Sequence, residues 1–159
     1  MILFSRASNS VGPRVAMQDF VGMQLISVMR VHRARAAELL SALGVHVGQE
    51  MILFQLWQRD GLNQTELTAC LGVEPPTTTR MVQRMEASGL IERRTDPRDG
   101  RVVQVWLSPR GRALEGPVTD AWQTLEAMTV DRLSAGERAL LRELLAKVRL
   151  GLEPQGEAA

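Results

Sequence analysis

The residues best equipped for chemistry follow a pair of prolines: Pro75-Pro76-Thr77-Thr78-Thr79-Arg80-Met81-Val82-Gln83-Arg84-Met85. Wound as an α-helix, this segment puts Thr78, Met81, Val82 and Met85 on one face. Thr77, Arg80, Gln83, Arg84 and Ala87 fall on the opposite one. Arginine can fork onto guanine, glutamine onto adenine, and threonine can hydrogen-bond a base or touch a thymine methyl. Pro76, Thr77, Thr79, Arg80, Gln83 and Arg84 are therefore candidate contacts to a major groove. A second cluster follows at Asp96-Pro97-Arg98-Asp99-Gly100-Arg101. Asp99 and Arg101 lie two apart and can pair, which would orient the guanidinium. An oriented arginine suits the narrow, strongly negative minor groove of A-tracts, and Arg98 competes for that insertion.

A polar helix face or a charged turn is, taken alone, a solvated surface. The elements around these two raise their significance. Asn63 with Glu66 three residues on is a capping-box start for a short helix, which Leu71-Gly72-Val73 closes. Pro75 and Pro76 fit only in or before a first turn, so they fix the origin of the next helix. Leu90–Arg94 and Val102–Leu107 read as strands, with Val103, Val105 and Leu107 in a core row and Trp106 facing away. Pro97 and Asp99-Gly100 make the turn between them. The order is thus helix, turn, helix, then a basic-tipped ribbon. A helix sized for the major groove beside a ribbon that can reach a minor groove is equipment for reading DNA.

Other helices flank this unit. Phe20–Leu43 is amphipathic and stops at Gly44, and a second helix runs from about Val47 to Arg59. A long helix is expected from Ser108 to about Arg132, with apolar positions 114, 118, 121, 125 and 128 stepping as in a coiled-coil seam. Gly116-Pro117 should kink it or limit its first turn. Ser134 with Glu137 caps a last helix carrying Leu140, Leu141, Leu144, Leu145 and Val148. Residues 1–16 read as a flexible arm and 153–159 as a frayed tail.

Bulk properties narrow the class. A chain of 159 residues can bury a real core. No apolar run approaches a membrane span, the Met1–Arg6 start is too short for a signal peptide, and one cysteine excludes an internal disulfide. A cytosolic location is the default expectation. Net charge is only +1, but residues 75–112 hold eight arginines against four acids, a local +4 that leaves −3 for the rest. Phosphate neutralisation dominates DNA affinity, so this concentration matters. Two histidines and one cysteine argue against a metal cage, and no cofactor is expected. The absence of a phosphate loop or nucleophile elbow argues against an enzyme.

Leu71-Gly72-Val73, Pro76 through Glu86, Gly89-Leu90-Ile91-Glu92-Arg93, Asp96 through Arg101 and Leu107-Ser108-Pro109-Arg110-Gly111 together resemble the MarR (multiple-antibiotic-resistance regulator) family of winged helix-turn-helix repressors. The likeness follows element order over residues 20–150 and is most specific at Asp-x-Arg-Asp-x-Arg followed by Leu-Ser-x-x-Gly. Glu74 stands where such proteins often carry a Ser or Thr cap. The resemblance implies a mainly α (α+β) fold, with a winged helix-turn-helix domain over 47–111 and a helical dimerisation region over 17–46 and 112–152. It also implies a homodimer on a near-palindromic double-stranded operator, most simply a repressor relieved by a small aromatic or anionic effector. His32, His46, Arg33 and Trp106 are candidates for such a ligand pocket, with Arg30 and Arg35 as further positive charge. The bland reading, a solvated helix face, stands beside it, and the absence of tyrosine removes one way to hold a phenol. Trp57 and Trp122 read as core or interface. Cys70 reads as structural beside the packing positions of its short helix. A cysteine-based redox regulator of the same fold, or a dimeric module without DNA binding, are the alternatives.

Overall fold

A computed structural model describes residues 17–97 and 99–153. The arm over 1–16, Arg98 and the tail beyond Glu153 lie outside the described residues. A 3-10 turn at Met17–Asp19 leads into α1 (Val21–Ser41) and α2 (Gln49–Gln58). There follow β1 (Leu62–Asn63), α3 (Gln64–Leu71), α4 (Pro75–Ala87), β2 (Ile91–Thr95) and β3 (Val103–Leu107). The chain closes with α5 (Pro109–Ala113), α6 (Glu115–Val130) and α7 (Ala135–Leu152). Among the described residues, no helix is long and apolar enough to cross a membrane.

Local chemistry sets most of these boundaries. Asn63 accepts the Glu66 N–H at 2.9 Å while the Glu66 carboxylate accepts the Asn63 N–H at 2.8 Å, so two orphan donors of α3 are satisfied reciprocally. The same exchange between Ser134 and Glu137 opens α7. Gly72 takes the left-handed conformation that ends α3, at φ +61°. Pro75 and Pro76 occupy the start of α4, where no N–H is needed, and the N-cap Glu74 makes no side-chain cap.

Three expectations need correction. The long helix from Ser108 is two helices that meet at Leu114. Pro117 brings no N–H and its ring crowds the carbonyl four residues back, so the break falls ahead of the Gly116-Pro117 pair. The ribbon also gains a third strand: β1 pairs antiparallel with β3, giving the sheet order β1-β3-β2. Val105 and Leu107 are buried as the core row requires, but Val103 is 43% exposed because the ribbon has by then run out past the core.

That core gathers Ile52, Leu53 and Leu56 of α2, Leu67 of α3, Val82 and Met85 of α4, and Leu90, Ile91, Val105 and Leu107. Each such side chain contributes about 1.5–3 kcal/mol by leaving water. Leu40 of α1 and Val118 of α6 belong to the same cluster, so the flanking helices and the reading unit share one interior. α7 is the contrast, because none of its residues is buried.

A polar joint locks the sheet to the helices. Asp60 accepts the Leu107 N–H at 2.8 Å and the Gly61 N–H at 3.1 Å through one oxygen, and pairs with Arg112 through the other. Ser108 donates its N–H to the Leu90 carbonyl and its hydroxyl to the Gly89 carbonyl, at 3.1 and 2.7 Å. Trp57 donates to the Gly111 carbonyl at 3.1 Å. Gly111 packs so tightly here that an added Cβ would overlap the Leu90 carbonyl oxygen. Gly111→Ala should therefore cost about 3 kcal/mol of unfolding free energy, at the upper end for an overpacked core. Urea denaturation followed by circular dichroism measures this, and an unshifted midpoint would contradict the packing described.

Candidate nucleic-acid interface

Helix α4 is oriented by what it buries. Thr78, Val82 and Met85 are fully enclosed, and Met81 is half-buried. At 3.6 residues per turn that leaves Thr77, Arg80, Gln83 and Arg84 exposed in a row, with Pro76 exposed in the first turn. Thr79 is placed differently. It is half-buried, its hydroxyl donates to the Pro75 carbonyl at 2.9 Å, and it accepts from the Gln64 side chain of α3. The hydroxyl is committed to the seam between α3 and α4, which a face assignment from spacing alone does not anticipate.

The arginines divide into two sets. Arg93 of β2 pairs with Glu86 of α4 at 2.6 Å, Arg94 with Glu92 at 2.9 Å, and Arg112 with Asp60 at 2.5 Å. Arg110 donates to the Ser88 carbonyl at 2.6 Å. These four serve the protein's own architecture. Among the described residues, no ion pair or hydrogen bond engages the guanidinium of Arg80, Arg84 or Arg101. The Arg93–Glu86 pair joins the end of α4 to the first ribbon strand, which sets the angle between helix and wing. Its hydrogen bond to Arg93 holds the Glu86 carboxyl below the usual carboxylate range. Both partners are well exposed, so the pair matters more for geometry than for stability.

At the ribbon tip the Asp96 N–H meets the Val102 carbonyl at 2.8 Å and the Val102 N–H meets the Asp99 carbonyl at 2.9 Å. The expected pairing of the Asp99 and Arg101 side chains does not form. Asp99 instead accepts the backbone N–H of Arg101 at 3.0 Å, folding onto its own chain two residues on, as aspartate does in turns. Its effect is to fix the turn, while the exposed Arg101 side chain stays uncommitted. Arg98 lies outside the described residues.

Trp106 belongs to the wing and not to a pocket with His32. Its indole N–H donates to Gln104 at 3.2 Å, Gln104 donates to Asp96 at 2.7 Å, and the Arg94 guanidinium stands 5.2 Å above the ring. The ring lies against Gly61, where a Cβ would come within 2.6 Å of it. This ladder stiffens the outer face of the ribbon. It was missed because cross-strand neighbours are invisible until the register is known.

The other pocket candidates also separate. His32 is half-buried with its ring centroid 6.0 Å from that of Trp122. Both line a cavity of about 510 Å³ between α1, α2 and α6, together with Arg33, Val47 and Glu50. His46 is exposed outside that wall, its backbone holding the turn into α2 through Gln49. Arg35 is turned to Glu38 at 2.6 Å. Glu50 is the residue that spacing did not flag. It is 97% enclosed at 3% exposure, and burial pushes its carboxyl above the usual range, against the opposing pull of its own and the Gly48 N–H and of Arg33. The available signal was an acid at the edge of the Met51–Phe54 apolar run. Cys70, expected to pack, is exposed on α3.

Residues 45–103 match the MarR family profile. The HTH-type transcriptional regulator TtmR of Methylorubrum extorquens is 34% identical over 101 residues, which are 64% of this chain and 51% of TtmR, so the chain spans about half that relative's length. An HTH-type transcriptional repressor of Mycobacterium tuberculosis is 27% identical over 80% of this chain and 92% of its own. A probable transcriptional regulator from Pseudomonas aeruginosa superposes with a TM-score of 0.76 at 29% identity, over 84% of this chain and 99% of that one. A cysteine-to-serine mutant of MarR from E. coli, complexed with operator DNA, gives 0.74 at 29% identity over 80% and 92%. The family profile over residues 45–103, the curated HTH-type regulators and the winged-helix architecture agree, so this chain carries a MarR-family segment within a fold like that of the solved MarR structures.

Proposed function

We propose that this regulator is a homodimeric repressor that places α4 of each subunit in a major groove of a near-palindromic operator, sets its wing in the flanking minor groove, and leaves the DNA when a small ligand binds. The observation that carries the DNA reading is the division among the arginines. Arg80, Arg84 and Arg101 are uncommitted on the helix and wing, while Arg93, Arg94, Arg110 and Arg112 are engaged within the chain. The E. coli MarR mutant complexed with operator DNA supports operator binding, and the repressor names of relatives support the sense of regulation.

Dimerisation is supported by apolar surface that the single chain leaves in water. α7 exposes Leu140, Leu141, Leu144 and Leu145, and α1 exposes Val21, Ile26, Val28 and Met29. Rows of exposed apolar side chains of this kind mark an interface. The ligand reading rests on the cavity against His32, Arg33, Glu50 and Trp122, bounded by α1 and α6 on one side and α2 of the reading unit on the other.

On an operator selected from random sequence by the wild-type protein, Arg80→Ala or Arg84→Ala should reduce discrimination against mismatched sites by about 1–3 kcal/mol. Competition gel shifts measure this, and intact discrimination in both variants would remove the base-reading assignment. Arg101→Ala should weaken binding to every site and lower the salt slope by about one contacted phosphate, with circular dichroism unchanged. Wild-type affinity in that variant would sink the wing assignment. In sedimentation equilibrium the wild type should run at twice its 17.6 kDa chain mass, and Leu144→Arg should shift it toward that single mass. A monomeric wild type at micromolar concentration would contradict the dimer.

A further inference from the structure

Glu50 gives the cavity a chemical preference. The wall is otherwise apolar, aromatic or basic: Val28, Val47, His32, Trp122, Arg30 and Arg33. Trp122 is held in place by two ring neighbours, His32 at 6.0 Å and Phe54 at 6.1 Å between centroids. It offers a fixed aromatic surface for a flat ligand or a cation. Arg30 and Arg33 are exposed, so water and salt weaken their fields. Glu50 is enclosed, where a charge acts through a much lower effective dielectric. An enclosed carboxylate therefore stands against two solvated guanidinium groups at this wall.

The acid sits in the first turn of α2, where a helix favours negative charge. Glu50 accepts the Gly48 N–H at 2.6 Å through one carboxylate oxygen. The neighbouring Gln49 does equivalent work as a neutral amide, accepting the His46 N–H at 2.9 Å while equally buried. A glutamine at position 50 would keep an acceptor for the Gly48 N–H. What the carboxylate adds is an enclosed negative group on the wall of a cavity, and among the described residues no ion pair closes on it.

We infer that the cavity takes an aromatic ligand bearing a protonated amine, with the ammonium hydrogen-bonded to Glu50 and the ring against Trp122. This rests on the reading of the cavity as the effector site. An ammonium of that kind satisfies the buried carboxylate and gains from the ring face, whereas a ligand carboxylate in the same place meets like charge. An acidic group elsewhere on the ligand can still reach Arg33 at the solvent side.

The test uses the full chain with two probes of the same ring and linker length, phenethylamine and 3-phenylpropionate, titrated at neutral pH by calorimetry and tryptophan fluorescence. Wild-type protein should bind the amine roughly tenfold or more tightly than the acid, the scale of one charge-assisted hydrogen bond. Glu50→Gln, which keeps an acceptor for the Gly48 N–H, should lose that factor for the amine and bind the acid at least as well as before. The wild-type comparison alone decides the preference if the variant folds poorly. Preference for the acid in the wild type, or amine binding untouched by Glu50→Gln, overturns the charge assignment and leaves the effector cavity standing. Binding of neither probe overturns both.

Discussion

Thr78, Val82 and Met85 are drawn into the interior, Val82 and Met85 in one cluster with Leu67, Ile91 and Val105, and the helical period then leaves Thr77, Arg80, Gln83 and Arg84 no direction but outward. The remaining geometry of the interface follows from that burial. The Glu86–Arg93 pair carries the orientation of α4 into the ribbon, and the Asp99 turn carries the ribbon to Arg101. Apolar packing thus aims the polar groups, and the salt bridges around it consume those arginines that are not needed outside. A local excess of positive charge becomes an interface only once that internal consumption is subtracted.

The same interior connects the interface to the rest of the chain. Leu40 and Val118 lie in one cluster with the reading unit, and Asp60 at the end of α2 holds the Leu107 amide and Arg112 together. The cavity wall is shared among α1, α2 and α6. On the proposed reading, a ligand there contacts the start of α2, while Asp60, just past the end of α2, is bonded to the end of β3. A ligand shifts such a system only by binding the two arrangements unequally, and a buried charge at the wall is one source of that inequality.

Features governed by near neighbours were legible in the sequence. The Asn63/Glu66 and Ser134/Glu137 capping boxes, the Pro75-Pro76 start and the Gly72 stop each depend on a few adjacent residues, and each falls where its residues predict. The buried face of α4 was legible for the same reason, since its period lies within the helix. Features set by distant partners were not. β1 is two residues long and exists only through β3, and the places of Thr79 and Trp106 depend on Gln64 and on Gly61 and Arg94 across the fold. Asp99 had two acceptable partners within reach, and spacing alone favoured the side chain of Arg101 over its backbone. Burial of Glu50, a first-turn acid ahead of the Met51–Phe54 apolar run, is a tertiary fact that its neighbours in sequence do not carry.

The proposed function requires two α4 helices reading one operator as a symmetric pair. A hydroxyl-radical footprint of the full chain on its selected operator tests that most directly. The predicted result is a two-fold symmetric pattern, with the two recognition tracts about 10–10.5 base pairs apart and an outer minor-groove protection beside each. A single asymmetric tract, or no protection at low salt, would contradict it.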